Sequence, residues 1–471
     1  MSDRQLVWFR NDLRTTDQLA LLDAAERGPV VGVYCFCPGQ FRAHDVGGNR
    51  IAFTLSHLQA LSDELATLRI PLRILTLDTF ADVPEALLAL ARDLDVRTLW
   101  FNDEYPLNEL RRDRAVEAAF RDAGFGVERR TDSVIRAPGT VRTQEGRPYT
   151  VFTPFRRRWT ASFDPQAAQP RGRPAAQAAQ AVGRDAIPTL PPGFDVTADL
   201  SGWGVGERAA QDRLETFVAD RISRYDHDRD LPAVDGTSAL SPYLSLGVIS
   251  VRTVLDAALA SNDGRLEGGD SAVETWISEL VWRDFYRHVV EAFPHVSRGA
   301  SFRREYDTLP WRQDPGAFEA WKAGCTGIPI VDAAMRQLRA TGWMHNRLRM
   351  VVAMFLSKNL LLDWRLGEAY FMTHLLDGDF AANNGGWQWS ASTGTDAAPY
   401  FRIFNPLSQS SRFDADGAFI RRWVPELQGI AARALHAPSK LPEGLGYPPP
   451  IVDLKASRQR AIDCFRAHAA G

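Results

Sequence analysis

The sequence predicts an α/β N-terminal domain with a doubly wound parallel sheet, followed by an all-α C-terminal domain. Three observations carry that expectation. Through residue 133 short apolar runs alternate with amphipathic stretches, as βαβ units do. A stretch rich in Ala, Gln, Pro, Gly and Arg then interrupts every core pattern. Beyond Trp203 strand signals nearly vanish and helical periodicity recurs. The expected boundaries are 1–133 for the α/β domain, 134–202 for a linker and 203–471 for the helical domain.

In chain order, the expected strands are "QLVWF", "VVGVYCF", "LRILTL", "TLWF" and "GVERR". Residues 17–27, 50–68, 82–94 and 107–123 between them read at helical period. No GxGxxG follows the first strand, so a Rossmann-type dinucleotide is not indicated, although a doubly wound sheet still offers a crevice at the carboxyl ends of its strands. Residues 163–194 read as a surface linker without a core pattern. Helices are then expected at "ERAAQDRLETFVADRISRY", "SAVETWISELVWRDFYRHVVEAF", "IPIVDAAMRQLRAT", "HNRLRMVVAMFLSKNLLLDW" and "LGEAYFMTHLL".

A chain of 471 residues exceeds one ordinary core, and 45% hydrophobic with 24% charged residues describes a globular protein. No run approaches the roughly 20 apolar residues of a membrane span, so no membrane partner is expected. The opening "MSDRQLVWFRNDLR" has no basic lead and apolar core of a secretory signal. Four scattered cysteines suit reduced thiols and a cytoplasmic location; Cys35 and Cys37 share a strand face but have no further ligands nearby, so no metal centre is expected. The net charge of −3 gives no global argument for nucleic acid. Locally, residues 336–365 carry six basic residues (Arg336, Arg339, Arg347, Arg349, Lys358, Arg365) against Asp363, a net +5 that suits a phosphate backbone or a solvated helix face.

Candidate chemistry gathers in four stretches. "DGTSALSPYLSLG" places Thr237 and Ser238 before a helix with Ser241 as N-cap and Pro242 at the first helical position, a terminus that suits a phosphate or plain capping. Glu279, Trp282, Arg283 and Tyr286 share one helical face, with Ile277, Leu280, Val281 and Phe285 on the other. That face can stack a planar ring and hydrogen-bond its edge, or serve as an interface aromatic beside a surface salt bridge. In "GWMHNRLRM", Asn346 and Met350 share a face flanked by Arg347 and Arg349; a carboxamide can match the donor–acceptor pair of a nucleobase, while His345 reads as structural. In "LLDGDFAANNGGWQW", Asp377 and Asp379 read as caps, with Asp379 capping the "FAANNGGWQW" segment and Arg349 able to pair with one of them.

These stretches, with "WFRNDLR", "VFTPFRRRW", "GIPIVDAAMRQL", "ANNGGWQWSASTGTDAAPYFRIFNP" and "FIRRWVPEL", resemble the photolyase and cryptochrome family, specifically class I cyclobutane pyrimidine dimer DNA photolyases. The resemblance spans nearly the whole chain and is weakest in the linker. It implies an N-terminal antenna domain and a C-terminal domain holding a U-shaped FAD. It places FAD against Tyr225, Thr237, Ser238, Ala239, Leu240, Ser241, Trp276, Arg283, Arg349, Asp377, Asp379 and Asn383. Asn383 is implied beside the flavin N5, where a neutral amide oxygen can accept a proton's hydrogen bond and an aspartate would repel anionic reduced flavin. Trp387, Trp364 and Trp311 become an electron relay, although each alone would read as core.

The same resemblance implies damaged DNA containing pyrimidine dimers as partner of a monomeric enzyme. Lesion contacts fall on Glu279, Trp282, Asn346, Arg347, Met350 and Trp389, and Arg229 faces the DNA backbone. An antenna chromophore is implied at His44, Asn108 and Glu109, methenyltetrahydrofolate in preference to deazaflavin, although Arg298 stands where folate-type relatives carry lysine. A cryptochrome-type blue-light photoreceptor shares the fold, but plant-type members carry Asp where Asn383 stands, and the chain ends at Gly471, soon after the family core. Repair of (6-4) photoproducts requires a histidine at the position of Asn346. A helical DNA-binding module without flavin would account for the basic stretch alone.

Overall fold

The structure is a computed structural model and describes residues 4–470. The chain divides into two compact units, one comprising Met1–Val196, Ser201–Ser223 and Ser238–Ser297, the other Thr197–Leu200, Arg224–Thr237 and Arg298–Gly471. The change in composition at Trp203 is therefore a different boundary from the division in space, because the Ser271–Ala292 helix belongs with the sheet.

In the first unit five parallel strands, β1 (Gln5–Phe9), β2 (Val30–Phe36), β3 (Leu72–Thr76), β4 (Thr98–Asn102) and β5 (Gly126–Arg130), lie in the order β3-β2-β1-β4-β5. Gln5 of β1 pairs with Val30 on one side and Thr98 on the other. Every expected strand is present to within a residue, and the helices Leu19–Arg27, Gly48–Thr67, Val83–Asp93 and Leu107–Asp122 fall on the expected segments. Leu6, Trp8, Val31, Val33, Leu99 and Phe101 pack with Val83, Leu87, Val116 and Phe120 in one core layer. The alternate residues Val7 and Phe9 are also fully buried, so both faces of β1 are covered and its sequence is an unbroken apolar run. Strand order reverses at β1, which opens a crevice at the carboxyl ends of β1 and β4.

Residues 163–194 hold no helix or strand but are tied to this unit. Gln177 N–H donates to Leu68 O at 3.0 Å, Asp185 N–H to Leu72 O at 2.9 Å, and Arg171 pairs with Asp23 at 2.6 Å.

A buried ionic network joins the "RNDLR" turn after β1 to the Val251–Ala260 helix. Asp132 receives Arg14 at 2.6 Å and Arg252 at 2.7 Å, and Arg252 also reaches Asp17 at 2.9 Å. Burial alone would raise the Asp132 carboxyl, but Arg14 and Arg252 outweigh it and hold the carboxyl below its ordinary value. Because all four side chains are at most 5% exposed, losing one carboxylate strands two guanidinium groups away from water.

The second unit packs Trp321, Met335, Leu348, Val352, Phe371, Trp387 and Phe419 into one core. The expected helix at 345–364 is broken: Asn346–Met354 is α-helical, Phe355–Asn359 forms a π turn, and Leu361 has φ 55° before Trp364–His374 begins. At the break Lys358 is fully buried, and its Nζ donates to Ala391 O and Ser392 Oγ, both at 2.9 Å. The break carries the polar Ser357, Lys358 and Asn359 between apolar runs, but Lys358 and Asn359 bond to residues remote in sequence, which helical periodicity does not show. Among the described residues no helix is long and apolar enough to cross a membrane.

Asp132→Ala should destabilise the first unit by about 3–5 kcal/mol, read as a lowered urea midpoint, because it leaves Arg14 and Arg252 buried without their shared carboxylate. A loss below about 1 kcal/mol, the scale of an exposed pair, would show that water reaches the network.

Candidate active site

In the second unit, Phe380–Ala391 is helical, so the polar, glycine-containing "NNGGWQW" stretch lies inside a helix. Asp379 is its N-cap as expected, accepting from Ala382 N–H at 3.0 Å. The paired asparagines have different surroundings. Asn384 donates to Glu368 Oε1 and accepts from Gln388, both at 2.8 Å, so its amide is satisfied by protein. Asn383 donates its NH₂ to the Glu368 backbone carbonyl at 3.0 Å, while its Oδ1 receives no donor among the described residues. A Cβ on Gly386 would meet nothing within 4 Å, so that side of the helix is open.

Arg349 pairs with Asp377 at 2.8 Å, the partnership the sequence suggested. The other oxygen of Asp377 is buried without a partner among the described residues. Asp377 Oδ1 and Asn383 Oδ1 are thus two acceptors that ask for donors, as a ring N–H or ribose hydroxyl of FAD would supply. Tyr225 is buried, with the Arg229 guanidinium 5.4 Å from its ring centre. Gly236, next to Thr237, passes so close to Asp228 that a Cβ would lie 2.5 Å from it.

Trp387 and Trp364 belong to one buried core, and Trp311 packs against it. Gly367 is required there, since a Cβ would lie 2.1 Å from the Trp387 ring. None of these three indole N–H groups finds an acceptor among the described residues. Trp321, which no sequence pattern singles out, meets Trp387 edge to face at 6.0 Å, but its N–H is held by Val352 O at 3.2 Å. Asn346 is exposed, and Met350 and Trp389 are half-buried. His345 caps the Asn346–Met354 helix, accepting from Arg347 N–H at 3.2 Å, and burial lowers its pKa to about 4, so it is neutral and structural.

The basic stretch at 336–365 is not a stripe of free charge. Lys358 is fully buried, Arg336 pairs with Glu426, Arg347 with Asp230, Arg349 with Asp377, and Arg365 with Asp307 and Asp363. Most of the compensating acids lie far away in sequence, which a windowed charge count cannot include.

In the first unit, the Ser271–Ala292 helix buries Ile277, Leu280, Val281 and Phe285 and leaves Glu279, Trp282, Arg283 and Tyr286 half-buried, as its pattern predicts. Trp282 lies flat on Phe152, ring centres 3.7 Å apart and planes 7° apart. One face of its indole is therefore covered by Phe152, and Tyr286 and Phe285 lie against the same ring at 5.5 and 5.6 Å. Phe152 opens the "FTPFRRRWTA" helix, and no sequence pattern assigned it this role. Trp276 is buried against Phe217 at 4.8 Å, and Arg283 donates to the backbone carbonyls of Ser133 and Leu244.

The expected capping at Ser241 is corrected. The helix is only Ser241–Ser245, its N-cap is Leu240, and Ser241 is its first residue. So short a helix adds little dipole, and phosphate recognition would rest on loop donors. Ala239 has φ 47°, a left-handed conformation rare for alanine, in the middle of this loop.

His44, Asn108 and Glu109 come together near the carboxyl end of the sheet, joined by Gln40. The Gln40 and Asn108 amide nitrogens lie 2.8 and 2.9 Å from His44 Nε2, so that nitrogen accepts and Nδ1 bears the proton, 3.6 Å from Glu109. Burial and the nearby Glu104 charge raise Glu109 to about 7. Burial also acts on Glu104, but Arg10 and Arg112 overcome it and hold that carboxyl at about 2. Two adjacent carboxyl groups are thus split, one ionised and one protonated near neutrality.

Comparison with known proteins places these features in a family. A family model described as DNA photolyase matches residues 5–175, and one described as the FAD binding domain of DNA photolyase matches residues 276–467. Deoxyribodipyrimidine photo-lyases of Salmonella typhimurium and Escherichia coli are 44% and 41% identical, each match covering 99% of both chains. The crystal structure of a bacterial class III photolyase from Agrobacterium tumefaciens is similar with a TM-score of 0.90 and 36% identity, covering 100% of this chain and 98% of that one. A Synechocystis cryptochrome structure is similar with a TM-score of 0.84 at 28% identity, covering 98% of this chain and 99% of that one. The chain belongs to the DNA photolyase family, and its helical part matches that family's FAD-binding domain.

Glu109→Gln should stabilise the fold at pH 8 and make no difference at pH 4. The folded carboxyl is raised from 4.5 to about 7, so its favourable contribution is complete below 4.5 and lost as pH rises through 7. Thermal unfolding of both proteins across that range checks this; a pH-independent difference would contradict it.

Proposed function

We propose that the protein is a light-dependent DNA repair enzyme, a deoxyribodipyrimidine photo-lyase, that splits cyclobutane pyrimidine dimers using bound FAD. The observation that carries this reading is the Asn383 carboxamide, whose NH₂ is engaged by Glu368 O so that only its oxygen remains to meet a donor. FAD held by the residues below would supply light-driven electron-transfer chemistry, in which an electron lent to the dimer is recovered and no net redox change results.

The chain's own residues bind, orient and exclude water. Asn383 Oδ1 accepts from the flavin edge without adding negative charge beside it. Asp377 Oδ1 takes a cofactor hydroxyl while Arg349 balances its charge. Tyr225, Thr237, Ser238, Ala239, Leu240, Ser241, Trp276, Arg283 and Asp379 complete the cofactor contacts. The dimer meets Glu279, Trp282, Asn346, Arg347, Met350 and Trp389, with Arg229 toward the backbone. Trp282 offers one aromatic face, and Asn346 presents an amide to a pyrimidine edge. Photolyases extrude their target, and a damaged pair lowers the cost of unstacking.

Trp387, Trp364 and Trp311 form the route by which electrons replenish the flavin. Unpaired, buried indole N–H groups suit this, because an oxidised indole there has no base to take its proton. The antenna chromophore is placed at His44, Asn108 and Glu109. Methenyltetrahydrofolate is preferred to deazaflavin, since a protonated carboxyl and amides match a pterin edge. The enzyme acts as a monomer in the cytoplasm, where its DNA partner is reached.

Protein reduced beforehand should remove a thymine dimer from duplex DNA under blue light and leave it intact in darkness. In the same assay Trp311→Phe should abolish photoreduction of oxidised FAD and spare repair by reduced protein. Equal dimer loss in light and dark, or none with reduced flavin, would overturn the enzyme reading; loss of repair in step with photoreduction would make Trp311 structural.

A further inference from the structure

Arg347 is held by two groups of its own unit. Asp230 grips the guanidinium as a fork, Oδ2 to Nη2 at 2.7 Å and Oδ1 to Nε at 3.2 Å. The Phe413 ring lies under the same guanidinium, 4.6 Å from its carbon. The Arg347 and Asp230 side chains are only 18% and 30% exposed, so the pair is partly screened from water and salt. Arg412 also lies over Phe413, at 5.0 Å, but it is exposed and has no carboxylate partner among the described residues. One ring thus carries two guanidinium groups, one neutralised and one free. Neutral His345 adds no charge beside them.

We propose that Asp230 is a specificity-determining residue: by neutralising and orienting Arg347 it keeps that guanidinium out of sequence-independent phosphate binding and reserves it for damaged DNA. This rests on the lesion-binding reading above. A free guanidinium adds one released counterion to binding of any DNA, and that term does not distinguish damaged from intact duplex. A paired guanidinium gains little when intact DNA approaches, because a phosphate would merely replace a fixed, two-point carboxylate already in place. A lesion that presents base edges along with its phosphate offers Arg347 more than an exchange of anions, so pairing weakens intact-DNA binding more than lesion binding. Such discrimination is needed where undamaged sites vastly outnumber damaged ones.

The test measures binding of purified FAD-containing protein to matched duplexes with and without one thymine dimer, over a salt series. Asp230→Asn should steepen the salt dependence for intact duplex by about 0.9 in log–log slope, so that the loss of affinity between 50 and 200 mM salt deepens about threefold. Its affinity for intact duplex at low salt should rise and its discrimination ratio fall. Asp230→Glu, which keeps the charge, should restore both. Arg347→Gln combined with Asp230→Asn should cancel the gain, and Arg412→Gln alone should make the wild-type slope shallower.

Flavin absorbance per chain and thermal unfolding report whether each variant is folded. If Asp230→Asn leaves slope and ratio unchanged in folded protein, or weakens both duplexes equally, the proposal is overturned. If Asp230→Asn does not fold, the slopes of Asp230→Glu and of Arg347→Gln decide: an Arg347→Gln slope shallower by a full phosphate contact shows that the pair never withheld the charge. Wild-type protein without any preference for the dimer would overturn the lesion-binding reading instead, and the slopes would still report on the pair.

Discussion

The hydrogen bond from the Asn383 amide to the Glu368 carbonyl is the constraint on which the helical site depends. It fixes which end of a nearly symmetric side chain faces outward, and it ties the Phe380–Ala391 helix to Trp364–His374. Gly367 reinforces the junction, because only a residue without Cβ lets Trp387 lie so close. Asn384 completes it through Glu368 and Gln388, and Gln388 in turn receives Phe302 N–H at 2.7 Å. A polar, uncharged helix is what such a junction requires: amides that can be satisfied by protein on one side, and a neutral acceptor on the other. A charged residue in that place would need a counter-ion that the junction does not supply.

Elsewhere the protein handles charge by local pairing. Asp132 is stabilised between Arg14 and Arg252, whereas Glu109 lies beside Glu104 and takes up a proton instead. Arg347 and Arg349 each meet one carboxylate. Few guanidinium groups in the basic stretch therefore remain free to attract phosphate indiscriminately.

The α/β half was legible almost to the residue because strands buried on both faces appear as continuous apolar runs, such as "VVGVYCF". Helix existence in the second half was equally clear, but the π turn at Phe355–Asn359 was not, because its polar Lys358 is satisfied by Ala391 and Ser392, far away in sequence. The Glu279 face and the Asp379 cap came from local spacing. Phe152 and Asp230 did not, since each acts through a partner distant in sequence, and Gln40 lies one helical turn from His44 in a helix the sequence reading did not assign. The roles of Asn383 and of the three tryptophans came from resemblance, as their spacing alone suited an ordinary core. The +5 basic stretch misled for the same physical reason: Glu426, Asp230, Asp377 and Asp307 neutralise it from outside the window.

The most direct measurement is the reduction potential of bound FAD in Asn383→Asp, titrated spectroscopically at pH 8 against wild type. With the Glu368 anchor orienting position 383, a carboxylate there places negative charge beside the flavin and disfavours its anionic reduced form. The potential should fall by about 30 mV or more, the two-electron equivalent of about 1.4 kcal/mol. An unchanged or raised potential, with FAD still bound, would show that the Asn383 oxygen does not face the flavin.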